Sequence, residues 1–169
     1  MGQGEEVLNG MNVPELRKYV EMVKADPSVA ERNPTIVAQW DGGSRAQVEY
    51  EGHTLRIGGE GEPSAMELLL ASLAACDVEV VATTAALLGL ELEDLEIEAQ
   101  GLFNVQRLLG LEDGPNPGYD RIGYTIRLRA PGASDDQVEQ LRAMCEGSSP
   151  VGDTFVRRIP LTLEIDRTA

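Results

Sequence analysis

Basic and aromatic residues are both scarce in this sequence of 169 residues. Lysine and arginine together number 14 against 29 aspartates and glutamates, so the formal net charge is −15. A chain of this charge lacks the basic face that binding to nucleic acid or to an anionic membrane surface requires, and we expect neither partner. Aromatic residues make up 4% of the chain, which predicts a core built from aliphatic side chains.

Histidine, cysteine and long apolar runs are also limited. The single histidine, His53, excludes a histidine-rich metal site and is expected to be a solvated turn residue, and we expect no metal or cofactor. Two cysteines do not make a disulfide framework, so free thiols in a reducing compartment are expected. No run reaches the roughly 18 apolar residues of a membrane span, and the acidic N-terminus lacks the basic region of a signal peptide. We therefore expect a cytoplasmic protein.

The periodicity of the apolar residues predicts an α+β fold. Residues 1–33 are expected to form an extension with one amphipathic helix near residues 12–26, after eleven frayed residues, and residues 34–169 the main domain. Strands are predicted at 35–40, 46–52, 53–59, 92–105, 119–131 and 159–166, and helices at 64–88 and 134–147.

The predicted helix from Ser64 to Leu88 is apolar on almost every side. A sheet can cover only one face of such a helix, and a chain of this length has few elements left to cover the rest. Two subunits that bury each other's long helices would solve this problem, so a homodimer is expected.

One segment of this helix carries a family resemblance. The sequence PSAMELLLASLAAC at 63–76, the turn QWDGG at 39–43 and the segments SPVGDT and IPLTLEI near the C-terminus resemble the OsmC/Ohr family of thiol-dependent hydroperoxide reductases. The resemblance extends from about Pro34 to Asp166. The N-terminal helix and the segment LGLEDGPNPGYDRI at 109–122 resemble the OsmC-like subgroup.

The resemblance implies an OsmC-like fold, in which antiparallel sheets pack on long central helices in an intertwined homodimer. It also implies active sites near the subunit interface, where a peroxidatic cysteine attacks the peroxide, an arginine keeps it ionised and a glutamate holds the arginine. Cys76 matches the peroxidatic cysteine. Arg45 falls within one residue of the family's arginine, with Arg56 as the second candidate, and Glu67 is the nearest match to the glutamate.

The implied chemistry needs a thiolate at Cys76. An ordinary cysteine thiol, with a pKa near 8.5, is only about 3% ionised at pH 7, and an arginine within ~4–6 Å would make the thiolate the major form. The adjacent Asp77 opposes ionisation. Without the resemblance, a cysteine in an apolar helix would be read as a packing residue.

Glu67 stands nine residues before Cys76, whereas the family's glutamate stands ten before, at the position of Met66. Nine residues span about 180° on a regular helix. Glu67 could therefore serve Cys76 of its own chain only if the start of the helix were irregular. Otherwise it would serve the partner subunit.

The resolving position departs from the family, because Ser149 occupies the place of the second cysteine. Cys145 lies four residues earlier and shares a helical face with Val138 and Leu141, which is typical of a core residue, although a resolving role stays open. If Ser149 replaces the resolving thiol, an external thiol must reduce the oxidised Cys76.

Two interpretations of the apolar residues near the thiol stay open. Three hypotheses about the function also stay open. Met66 and Phe103, with Leu108 and Leu109, could line a substrate pocket or be core. The first functional hypothesis is a one-cysteine peroxidase for small, organic hydroperoxides. The second is a protein of the same fold that binds a small apolar ligand at the dimer interface without catalysis, and the third is a structural dimer.

Overall fold

Helices and antiparallel strands alternate along residues 6–167, the part of the chain that the computed structural model describes, and they form the predicted α+β fold. The strands are β1 (Val7–Leu8), β2 (Met11–Asn12), β3 (Val37–Trp40), β4 (Ala46–Tyr50), β5 (His53–Ile57), β6 (Asp94–Phe103) and β7 (Tyr119–Arg129). The helices are α1 (Val13–Ala25), α2 (Ala65–Leu88), α3 (Asp135–Cys145) and α4 (Pro150–Val156).

The strands form small antiparallel sheets. β3, β4 and β5 make a three-stranded meander in that order, and β6 pairs with β7 in a long two-stranded ladder that runs from Asp94 opposite Arg129 to Phe103 opposite Tyr119. On the solvent face of the ladder the Arg127 guanidinium binds the carboxylates of Glu96 and Glu98, each at 2.6 Å. Such cross-strand pairs of opposite charge favour this register.

Helix α2 has clear signals at both ends. The Ser64 side chain accepts from the backbone N–H of Glu67, the Glu67 side chain accepts from Ser64 N–H in return, and Gly89 ends the helix in a left-handed conformation with φ of 73°. The C-terminal half of α2 meets α3 and the β6–β7 ladder in the core, where Val81, Ala85, Leu90 and Leu141 are buried together. Cys76 lies on α2 five residues before Val81, the first of these residues.

The start of the described chain is more ordered than its composition suggests. Instead of fraying, residues 7–12 form a tight β1–β2 hairpin. The Asn9 side chain donates to the Leu90 carbonyl and accepts from the Leu92 N–H, both at 2.9 Å. These bonds tie the N-terminal extension to the end of α2, and the first five residues lie outside the described range.

The C-terminal segment differs from the prediction in two ways. Ser149 and Pro150 begin the short helix α4, which was not predicted although a serine cap followed by proline is an ordinary helix start. The predicted last strand at 159–166 is wrong for the single chain, where residues 157–167 run without regular structure. A strand needs a neighbour to bond with, and here the apolar Leu161 and Leu163 are 95% and 84% exposed.

A single chain exposes far more surface than a folded monomer of its size. Its accessible surface is 13297 Å², whereas the usual scaling for an 18.3 kDa monomer gives about 8,100 Å². The strands β3, β4 and β5 contact chiefly one another, and Trp40 on β3 is 79% exposed. The chain therefore presents large apolar faces without a partner of its own.

By length and composition alone, α2 could also cross a membrane. This is weak evidence, because the core helix of a soluble protein has the same character.

Candidate functional site

The Cys76 thiol lies on α2 beside Ser149, the N-cap residue of α4. Its side chain is half-buried, and the Ser149 hydroxyl donates to Cys76 Sγ across 3.5 Å. Ser149 is itself buried and accepts from the Gly152 N–H at 3.0 Å. One hydroxyl therefore both begins α4 and fixes the position of that helix against the sulfur.

A cavity of about 270 Å³ opens next to Ser149. Its walls are mainly apolar and come from α2, β7, α3 and α4, and the thiol in the lining is that of Cys145. The apolar wall residues include Leu73, Ile122, Tyr124, Phe155 and Val156. A small organic molecule in this space would contact Ser149, whose hydroxyl donates to Cys76 Sγ. Sequence reasoning did not find these wall residues, because they lie far apart in the chain and carry no motif.

Arg45 is turned toward its own loop in the single chain. Its Nε and Nη2 donate to the Asp41 carbonyl at 3.2 and 2.9 Å, and its aliphatic part packs over Gly59, where a Cβ would lie 3.0 Å from Arg45 Cδ. Among residues 6–167 no ion pair includes Arg45. Arg56 pairs with Gln47 across the same sheet, so both candidate arginines belong to a sheet that packs little on α2 of its own chain.

Glu67 is exposed, and its carboxylate is hydrogen-bonded to Ser64, the N-cap residue of α2. Its Oε2 accepts from both the backbone N–H and the hydroxyl of Ser64 at 2.7 Å, and the backbone hydrogen bond is the main reason that the pKa of Glu67 is lowered. Because α2 is regular from Ala65 onward, Glu67 faces away from Cys76 of its own chain. An intrachain Cys76–Arg45–Glu67 constellation is therefore not present.

Met66 and Phe103 meet at the N-terminal end of α2 through Tyr119. The Tyr119 hydroxyl donates to the Met66 carbonyl at 2.6 Å, and the Tyr119 and Phe103 rings pack edge to face with centroids 5.3 Å apart. Neither Met66 nor Phe103 lines the cavity beside Ser149. Leu108 and Leu109 are 79% and 72% exposed, so the expectation that they form core or pocket wall is wrong for the single chain.

Cys145 lies at the end of α3 and packs against the core cluster. Burial raises the pKa of the Cys145 thiol, a hydrogen bond with Thr84 lowers it, and the negative charge of Asp77 raises it further. Its helical neighbour Leu141 is 2% exposed, whereas Val138 is 38% exposed. These surroundings favour a protonated packing residue, and both cysteines are unpaired.

The described residues hold no cluster of three or more histidine, cysteine or acidic side chains that could bind a metal ion. Around Cys76 the structure places the Ser149 hydroxyl, which in turn borders the mainly apolar cavity.

The sequence matches the OsmC family, described as OsmC-like protein, over residues 58–164. The chain belongs to this family. The match includes Cys76, Ser149 and the whole cavity beside them. No curated protein matches the sequence significantly.

Solved structures of OsmC-like proteins share the fold at low sequence identity. The chain is similar to an OsmC-like protein from Mycoplasma pneumoniae with a TM-score of 0.63 and 14% identity, covering 75% of this chain and 89% of that one. It is also similar to a Legionella pneumophila protein described as an organic hydroperoxide resistance protein OsmC and predicted redox protein, with a TM-score of 0.52, 22% identity and coverage of 74% and 91%. An OsmC-like protein of unknown function from Vibrio cholerae gives a TM-score of 0.56 at 10% identity, covering 73% and 94%.

Proposed function

We propose that this protein reduces small organic hydroperoxides with Cys76 as the reacting sulfur, and that an external thiol returns Cys76 to its reduced form. The main support is the contact between the Cys76 thiol and Ser149, a residue that lines a mainly apolar cavity, in a chain of the OsmC-like family. The description of the Legionella pneumophila protein as an organic hydroperoxide resistance protein supports a role in peroxide stress.

In the proposed first step, the Cys76 thiolate attacks one oxygen of the peroxide ROOH. The O–O bond breaks, the leaving alkoxide takes a proton to become the alcohol ROH, and Cys76 becomes a sulfenic acid. An external thiol R′SH then displaces water and forms a mixed disulfide, and a second R′SH releases R′SSR′ and the reduced Cys76. One peroxide and two thiols thus give one alcohol, one disulfide and one water.

Ser149 makes the external thiol necessary in this scheme. Its hydroxyl lies where a resolving thiol would have to stand, 3.5 Å from Cys76 Sγ, but oxygen cannot form a disulfide. A hydrogen bond from the hydroxyl can instead stabilise negative charge on the sulfur before the attack.

We further propose that the working unit is a homodimer. A chain that exposes about 5,000 Å² more than a monomer of its mass has enough free surface for an obligate interface. The exposed β3–β4–β5 sheet would then cover the long helix of the other chain. This arrangement would bring Arg45 of the partner subunit toward Cys76 and would explain why Arg45 bonds only within its own loop in the single chain.

The direct test is oxidation of Cys76 by cumene hydroperoxide. One equivalent should convert Cys76 to a sulfenic acid that dimedone traps and mass spectrometry locates, and dithiothreitol should sustain turnover. Cys76→Ser should abolish both signals, whereas the matched variant Cys145→Ser should retain them. A Cys76 thiol that stays unmodified after hours in the folded protein would refute the peroxidase function.

Complementation tests which subunit supplies the arginine. Arg45→Ala and Cys76→Ser chains should each be inactive alone, because one lacks the cation and the other the nucleophile. Co-expressed and purified as mixed dimers, they should regain activity, since one site then combines an intact Cys76 with an intact Arg45 of the partner subunit. Mixed dimers without activity would argue that Arg45 acts on its own chain, and an Arg45→Ala chain that is active alone would argue that Arg45 has no role.

The alternative is a protein of this fold that binds an apolar ligand at the dimer interface without redox turnover. It is favoured by Ser149 in place of a second thiol and by the engagement of Glu67 with Ser64. In that case ligand affinity should not change in Cys76→Ser, and cumene hydroperoxide should not be consumed.

A further inference from the structure

A second and larger cavity, of about 830 Å³, lies between α2, α3 and β7. Most of its wall is aliphatic and includes Val81, Leu128 and Leu141. Asp77 also faces into this space from α2, although it directly follows Cys76 in the sequence. Successive helical residues differ in direction by about 100°, which explains how neighbours on α2 serve different surroundings.

The Asp77 carboxylate is buried without a counter-charge. Its side chain is 4% exposed, and its Oδ2 atom has no hydrogen-bond partner among residues 6–167. Burying a carboxylate without a partner costs several kcal/mol as a general rule, so such groups are rare unless something binds them. Burial is the main cause that raises the pKa of both the Tyr124 hydroxyl and the Cys145 thiol, and the nearby Asp77 carboxylate raises each of them further.

The two arginines that line the cavity are already bound elsewhere. Arg127 holds Glu96 and Glu98 on the outer face of the ladder. Arg142 binds Glu139 on α3 and Glu146 directly after that helix. Neither arginine forms an ion pair with Asp77. The cavity therefore combines a mostly aliphatic wall with the unpaired Asp77 carboxylate, because its other charged lining residues, Arg127, Arg142 and Glu146, form ion pairs.

We propose that this cavity binds a small molecule with an apolar body and a protonated amine, whose ammonium group pairs with Asp77. A neutral alcohol could donate one hydrogen bond to the carboxylate but would leave the charge uncompensated. An ammonium group donates a hydrogen bond to the carboxylate and also compensates its charge, and the aliphatic wall contacts the apolar body of the molecule. This site does not depend on peroxide chemistry at Cys76.

The test uses the full-length protein and three probes of equal chain length: octylamine, 1-octanol and octanoate. In isothermal titration at 0.15 M salt, where attraction to exposed charges is screened, octylamine should bind at one site per chain and octanoate should not. Asp77→Asn should weaken octylamine at least tenfold and leave 1-octanol within twofold of its wild-type affinity.

Glu79→Gln is the matched control, because it neutralises an exposed carboxylate two residues along the same helix. It should change octylamine affinity less than twofold. If Asp77→Asn does not fold, nuclear Overhauser effects from the amine's α-methylene to the Tyr124 ring and Leu141 methyls of the wild-type protein decide the matter.

Three results would overturn the proposal. Octylamine could fail to bind, as expected if the C-terminal segment or a second copy of the chain fills the cavity in solution. It could bind Asp77→Asn as tightly as the wild type, or octanoate could bind equally well, either of which would mean that Asp77 does not select the head group.

Discussion

Position 149 decides whether the proposed catalytic cycle uses one cysteine or two, because serine has an oxygen where cysteine has a sulfur. The Ser149 oxygen lies 3.5 Å from Cys76 Sγ, so a sulfur in its place would stand within reach of a disulfide. We expect the double variant Ser149→Cys, Cys145→Ser to form an internal disulfide after one equivalent of peroxide, with both thiols lost and the mass lower by about 2 Da. The single variant Cys145→Ser should form none, and a persistent sulfenic acid in the double variant would contradict the assigned geometry.

The buried Asp77 carboxylate is expected to lower the stability of the folded protein. Replacing a buried, unpartnered carboxylate with an apolar side chain removes a desolvation penalty, and the adjacent cavity leaves room for the new side chain. Asp77→Leu should therefore raise the free energy of unfolding in the absence of ligand by about 1–3 kcal/mol, measured by urea denaturation. Glu79→Leu should change it by less than about 0.5 kcal/mol. A destabilised Asp77→Leu protein would indicate that the carboxylate has a partner in solution.

At the scale of elements, the start of α2 depends on the charge of Glu67. Hydrogen bonds from Ser64 lower the pKa of Glu67 below 4.5, so the stabilisation they give is complete above pH 4.5 and is lost as the pH falls through the folded-state pKa. Glu67→Gln should keep the capping bonds without the charge, as Gln137 does at the start of α3. The stability difference between wild type and Glu67→Gln should shrink below pH 4.5 in urea denaturation. A difference that stays constant from pH 7 to pH 2.5 would contradict this assignment.

The contact between α2 and α3 is the centre of the single-chain core. Leu141 on α3 is 2% exposed and packs against Val81 and Ala85. Leu141→Ala should therefore destabilise the protein by about 2–5 kcal/mol through lost burial and the cavity it leaves. The matched change Leu108→Ala, at a leucine that is 79% exposed, should cost less than about 0.5 kcal/mol. Equal effects of the two variants in urea denaturation would mean that Leu108 is covered in the assembled protein.

For the whole molecule, the large exposed surface predicts a stable dimer. Light scattering at micromolar concentration should give twice the 18.3 kDa mass of one chain. The emission of Trp40, which is 79% exposed in the single chain, should be that of a buried indole. A mass of 18.3 kDa across a dilution series, with the emission of a solvated indole, would contradict dimerisation and the shared active site.

The sequence by itself determined most of the elements and the family. Apolar periodicity, the Ser64 cap and the Gly89 stop are local signals, and they place α2 within a residue of its observed ends. The string ending in Cys76 and the segment around Ser149 indicated the family that the match over residues 58–164 supports. Local signals succeeded because caps, turns and periodicity act within a few residues of the chain.

Only the tertiary structure decided what stands next to what. It brought Ser149 to Cys76 across 73 positions of sequence, formed the cavity beside Ser149 from α2, β7, α3 and α4, and left the Asp77 Oδ2 atom buried without a hydrogen-bond partner. It also left residues 159–166 without a strand, because a strand forms only where another offers free hydrogen bonds. Such contacts depend on the packing of segments that are distant in the sequence, and the periodicity of apolar residues along the chain does not predict them.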